Sequence, residues 1–189
     1  MDIKNKFLIL IVINVITYFA ANWIANQSGS NIYILMGVQR NLVLDYHEYY
    51  RIITYAFAHA DVMHLFVNML ALYSLSDPVI RFTDEKFSFI IYLIAIVVSG
   101  VGVIIFDANA IMVGSSGAIY GLFGILIYFA IEQALKGNTV MFRSLFPVIV
   151  INVIISLMPG ISLLGHLFGL LTGLVGAFIY SKVLKKSNW

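Results

Sequence analysis

Apolar residues in this chain gather into six long runs and do not alternate with polar ones. The runs cover approximately 7–24, 52–75, 87–106, 116–131, 145–158 and 161–181. Charges or turn residues such as Asp77-Pro78, Lys136-Gly137-Asn138 and Pro159-Gly160 separate them. About 20 helical residues cross a hydrocarbon core of about 30 Å. The fifth run is short and can be extended back past Arg143. Helices satisfy their own backbone groups in lipid, whereas a barrel would show alternation along each strand. The pattern therefore predicts an all-α polytopic membrane protein with six transmembrane helices. One domain is expected over residues 1–189, with no additional soluble domain and no repeat.

Composition strengthens the membrane reading. Of 189 residues 61% are hydrophobic and 11% charged, against about a quarter charged in an ordinary soluble domain. One soluble core of this size could not hide so much apolar surface. No cysteine is present, which excludes disulfides and cysteine-based metal sites. The placement of charge says more than the net +2. Six spans leave both termini on one side, with Lys4, Lys6, Arg81, Lys86, Lys136, Arg143, Lys182, Lys185 and Lys186. Only Arg40 and Arg51 fall opposite. Both termini are thus expected to be cytoplasmic. A signal peptide is the competing reading of Lys4, Lys6 and the first run, but no small-x-small site ends that run. The connection 25–51, rich in Tyr, Leu and Ile, suits either interfacial segments or an ordinary outer loop.

Polar residues inside apolar runs are costly and invite a functional reading. They are Asn14, Asn22, His59, Asp61, His64, Asn68, Ser115, Ser116, Asn152 and His166. Each alone is explained better by a helix–helix hydrogen bond or a position near a loop than by catalysis. Depth distinguishes two of them. Ser116 precedes Glu132 by the same interval as His166 precedes Lys182. At about 1.5 Å per residue, both lie about 24 Å above the inner boundary. Gly117, Gly121 and Gly124 form a small-residue stripe beside Ser116; Gly169, Gly173 and Gly176 form another below His166. Packing the stripes together would bring hydroxyl and imidazole near each other.

Ser116 sits in Gly114-Ser115-Ser116-Gly117, where an outer loop meets a helix start. Gly114 and Gly117 leave the hydroxyl uncrowded, and a helix N-terminus offers free N–H groups to a developing negative charge. Ser115 is a competing nucleophile by type. His64 and Asn68 are four apart and share a helix face. His59 falls off that face, and no HExxH occurs, so a zinc protease is unsupported.

At these residues the chain resembles the rhomboid proteases. The shared elements run in order: Tyr50-Arg51, His59…His64-x3-Asn68, Gly114-Ser115-Ser116-Gly117 and Gly165-His166-x2-Gly169-x3-Gly173. The family usually has Trp-Arg where this chain has Tyr50-Arg51, a departure that touches the anchoring of the outer loop. The resemblance implies a six-helix rhomboid-like bundle in which Ser116 is the nucleophile and His166 its base. It further implies that Tyr120 packs against the His166 ring, and that His64, Asn68 and the Ser116 backbone N–H form an oxyanion hole. His59 and Asp61 are expected to help keep an outward-facing cavity wet. The partners implied are single-pass transmembrane substrates within a lipid bilayer, with no cofactor, no metal and no nucleic acid. A bacterial plasma membrane is the expected location. The rival classes are an inactive rhomboid-like protein that binds membrane clients, and a small transporter using intramembrane His and Asn.

Overall fold

The computed structural model describes residues 5–184. Lys4, Lys185 and Lys186 of the charge argument lie outside the described residues. The helices are α1 (Asn5–Gln27), α2 (Ile32–Met36), α3 (Arg40–Leu44), α4 (Arg51–Thr54), α5 (Val62–Phe82), α6 (Glu85–Phe106), α7 (Ser116–Leu135), α8 (Val140–Ser156) and α9 (Leu163–Ile179). Five of the six apolar runs become helices long and apolar enough to cross a membrane: α1, α5, α6, α7 and α9, the last continuing through a π-helical turn to Leu184. The sixth, α8, is a shorter apolar helix of 17 residues. It does begin before Arg143, at Val140.

Capping residues set the helix starts. Asp61, Asp84 and Ser162 each accept a backbone N–H from the first turn of α5, α6 and α9, satisfying donors that would otherwise be orphaned. Asp77-Pro78 does not end the second run as expected. Pro78 lies inside α5, which continues to Phe82. Pro fixes a helical φ and removes only one N–H, and membrane helices accept that loss when neighbours pack around it. The same run is broken at its other end. Residues 52–61 form α4, a 3₁₀ turn over Tyr55–Phe57 and an extended segment, so α5 begins only at Val62. His59 is therefore in a loop, and His64 in the first turn of α5.

The connection 25–51 is structured, with α2, α3 and a two-residue strand β1 (Val38–Gln39). β1 pairs antiparallel with β2 (Ile111–Met112), Val38 opposite Met112; hydropathy gives no sign of this ladder. Arg51, 5% exposed, ties the region down. Its guanidinium donates to the carbonyls of Gly37 and Ile34, each at 2.9 Å, and pairs with Glu48. Tyr50 is exposed, so the anchoring runs through the arginine and does not depend on a tryptophan beside it. The clamp reaches the serine motif through the ladder, because β2 leads straight into Gly114.

The core joins α5, α6, α7 and α9 around Leu72, Val79, Ile96, Leu122 and Ile125. At one end Phe87 meets Tyr180, Phe82 stacks on Phe129, and Lys182 and Lys136 both pair with Glu132. The Lys6 backbone donates to Glu85 there as well. Lys6, Lys136 and Lys182, three of the basic residues assigned to one side by sequence, thus lie at one end of the bundle. Large apolar side chains such as Ile16, Phe19, Val153 and Ile154 face outward, where lipid costs them nothing.

The glycine stripes place backbone against backbone. A Cβ on Gly169 would lie 1.9 Å from the Gly117 carbonyl oxygen, and one on Gly173 1.8 Å from that of Gly121. Gly176 departs from the expected pairing: it faces Ile91 of α6. Gly117 and Gly121 also admit Ser99 and Ala95 of α6. The seam is therefore three-sided, with α6 wedged against both stripes.

Candidate functional site

Ser116 opens α7, with Ser115 at the N-cap. The preceding Gly114 has φ +108°, and a Cβ there would lie 2.7 Å from the His64 ring. No other residue type fits this position without strain or collision. The Gly114 N–H donates to the Tyr55 carbonyl at 2.9 Å, and the Tyr55 hydroxyl donates to Ile96 of α6. Ser116 thus enters its helix from a loop held on both sides.

His166 lies in the first turn of α9, 6% exposed. The Ser99 hydroxyl donates to the Gly165 carbonyl at 2.9 Å, pinning the turn that carries it. His166 Nε2 is 2.9 Å from Ser116 Oγ. The Tyr120 ring lies parallel to the imidazole, with centroids 4.0 Å apart and planes 11° from parallel. On the far side of the ring, Nδ1 is 2.8 Å from Ser156 Oγ of α8. Sequence reasoning misses Ser156. Its signal is its position four residues after Asn152 in an apolar helix, the same spacing that marks His64 and Asn68.

A cavity of about 530 Å³ opens beside these groups. Asp61, His64, Asn68, Ser116, Tyr120, Asn152 and His166 all line it. Asp61 is the one carboxylate among its described lining residues, and it accepts the His64 N–H as helix cap at 2.8 Å. Asn68 Nδ2 is buried with no hydrogen-bond partner among the described residues. The position of a Gly114 Cβ would be 2.7 Å from His64 Nε2 and 3.6 Å from Asn68 Nδ2, so both donors converge on the loop leading into Ser116. An unpaired buried donor is costly, and a ligand oxygen in the cavity would relieve it.

Two residues of the expected constellation sit elsewhere. His59 is fully buried and does not line the cavity. It packs edge-on against the His64 ring, centroids 5.1 Å apart, because the loop before α5 folds back over the helix start. His59 therefore lies against His64 and away from the cavity, contrary to the expectation that it keeps the cavity wet. Ser115 is also fully buried, with its hydroxyl 3.5 Å from His59 Nε2. Ser116 is the serine of the pair that reaches the cavity.

A helical bundle with five membrane-length spans and large apolar side chains on its outer surface defines this chain as an integral membrane protein. A family model described as "Rhomboid domain" matches residues 46–183, well over half of the chain. The protein belongs to the rhomboid family, a family of intramembrane proteases. It is 26% identical to the rhomboid protease GluP of Bacillus subtilis over 89% of this chain and 33% of that protein. It is 31% identical to RHOMBOID-like protein 6, mitochondrial, of Arabidopsis thaliana over 80% of this chain and 50% of that one. Against rhomboid-type serine protease 2 of Gibberella zeae the identity is 30%, over 74% of this chain and 56% of that one. The chain thus spans from a third to little more than half of these relatives. They come from a bacterium, a plant and a fungus, so membership of the family does not select the bacterial plasma membrane.

Proposed function

We propose that this protein is an active intramembrane serine endopeptidase, with Ser116 as nucleophile and His166 as general base. The 2.9 Å contact between the two, opening on a cavity where His64 and Asn68 also face, carries the reading. In this mechanism His166 Nε2 takes the Ser116 proton as Oγ attacks a peptide carbonyl. The C–N bond then breaks, and the same proton passes to the leaving amine. Water attacks the ester and completes hydrolysis. His64, Asn68 and the Ser116 backbone N–H stabilise the oxyanion. Neutral donors suit a site where a buried full charge would be expensive, and the unpaired Asn68 amide supports that role.

Tyr120 holds the His166 ring by stacking, and Gly114, Gly117, Gly169 and Gly173 permit the approach of loop and helices. The substrates are transmembrane segments of single-pass proteins. Such a segment must unwind locally before cleavage, because a helix encloses its own peptide bonds. The whole chain acts as one membrane domain in which α8 completes six spans. Both termini are cytoplasmic and the cavity opens to the extracytoplasmic side, as the gathering of basic residues at the other end supports. A serine-directed fluorophosphonate probe tests the assignment. Labelling of the reconstituted protein that is lost in Ser116→Ala is the expected result. No labelling of the wild type would favour the inactive client-binding class.

A further inference from the structure

We propose that Ser156 is a positioning residue for His166, accepting the Nδ1 proton and so holding the imidazole in the tautomer that leaves Nε2 free. The proposal rests on the assignment of His166 as base and adds a third member, on a third helix, to the pair. Donor counting gives the direction of each bond. Ser116 has one described side-chain partner, His166 Nε2 at 2.9 Å; its hydroxyl proton has a described acceptor only if Nε2 is unprotonated. Nδ1 then carries the ring proton, and the acceptor 2.8 Å away is Ser156 Oγ.

The hydroxyl is free to accept because its own proton is spent. Ser156 donates to the Asn152 carbonyl one helical turn earlier, at 2.8 Å. The Tyr120 hydroxyl completes the group, 2.8 Å from Ser156 Oγ and 3.0 Å from the Asn152 carbonyl. One residue thus orients the imidazole by stacking and also contacts the acceptor that orients it by hydrogen bonding. When His166 takes the Ser116 proton, the imidazolium keeps Nδ1–H pointed at an oxygen whose lone pair is already aimed. The role matches that of a carboxylate beside a catalytic histidine, filled by a neutral group where a charged one would be costly to bury. Ser156 is the one buried side chain of α8, so this oxygen also contributes to how that helix meets α7 and α9.

Turnover and histidine tautomers test this separately. Ser156→Ala should lower kcat about tenfold with KM within about twofold, following the cost of one lost hydrogen bond. Ser156→Thr, which keeps the hydroxyl, should restore kcat to within about threefold. A rise in KM alone, or equal loss in both variants, would overturn the proposal. Nitrogen-15 NMR of histidine-labelled protein reads the tautomer without catalysis and needs no variant to fold. Wild-type His166 should show a protonated Nδ1 and a bare Nε2; the opposite tautomer rejects the assignment to Ser156. Should the wild type neither cleave nor take a fluorophosphonate, the protease reading fails while the tautomer result still decides this one.

Discussion

The seam between α7 and α9 and the flank formed by α8 meet at the same imidazole, yet they are built on opposite terms. In the seam, carbonyl oxygens of α7 occupy the space where side chains of α9 would begin. Neither helix can shift without a backbone collision or a gap. On α8, by contrast, a single side chain is buried, and Phe146, Ile151, Val153 and Ile154 all face outward. Its hydrogen bonds to the site run between the Tyr120 hydroxyl, Ser156 and the Asn152 carbonyl, while Ile155 lines the cavity and Met141 and Leu145 pack against the core. Close packing fixes the distance between Ser116 and His166; the Tyr120 stack and a hydrogen bond from α8 set the orientation of the ring. The two controls can be broken separately.

The largest effect is expected at the seam's upper end, where the chemistry is assigned. Ser116→Ala should reduce cleavage of a reconstituted transmembrane substrate to background, while Ser115→Ala should retain substantial activity. Ser115 has no access to the cavity, so the reverse result would show that the wrong serine was assigned. Next comes Gly169→Val, which forces a branched side chain onto the Gly117 carbonyl. Overpacking a close-packed site costs about 1–3 kcal/mol or more, and here the obstructing atom is backbone. Both the thermal midpoint in detergent and turnover should fall, the latter by at least about a hundredfold. If either survives, close approach is not what sets the Ser116–His166 distance.

Asn68→Ala removes one donor from the other wall and leaves the seam intact. Loss of one oxyanion donor costs roughly 10²–10³ in rate, with the midpoint little changed, since the amide makes no described hydrogen bond at rest. An unchanged rate would remove Asn68 from the oxyanion hole.

The same contrast explains which features are legible in the amino-acid sequence. Apolar runs and glycine stripes report period and steric bulk, so the helices and the meeting of α7 with α9 can be read from them. Ser116 and His166 are legible through depth, which a helical rise converts directly into height. The rest depends on chain reversals that hydropathy cannot register. The run 52–75 reads as one span because its residues are largely apolar, yet a 3₁₀ turn and the Asp61 cap split it and bring His59 against His64. Pro78 reads as a stop because proline punctuates soluble helices; within α5 it does not. The β1–β2 ladder joins residues far apart in sequence through backbone groups, to which every residue type contributes alike. Ser156 escapes notice because a serine in an apolar helix usually bonds its own preceding turn. It does that here too, and its free lone pairs carry the added role.

The smallest effect is expected on the outward face of α8. Val153 is 55% exposed and lies between Asn152 and Ser156 in sequence but on the lipid side. Val153→Ala removes two methyl groups from this exposed face. Substitutions away from packed or hydrogen-bonded sites usually change stability by less than about 0.5 kcal/mol. Turnover and midpoint should therefore both match the wild type, three residues from a position where losing one hydroxyl is expected to slow the reaction. A large loss in Val153→Ala would mean that the outward face of α8 is held by apolar packing too. The contrast between a seam fixed by backbone contact and a flank tied to the site by hydrogen bonds would then fail on the α8 side.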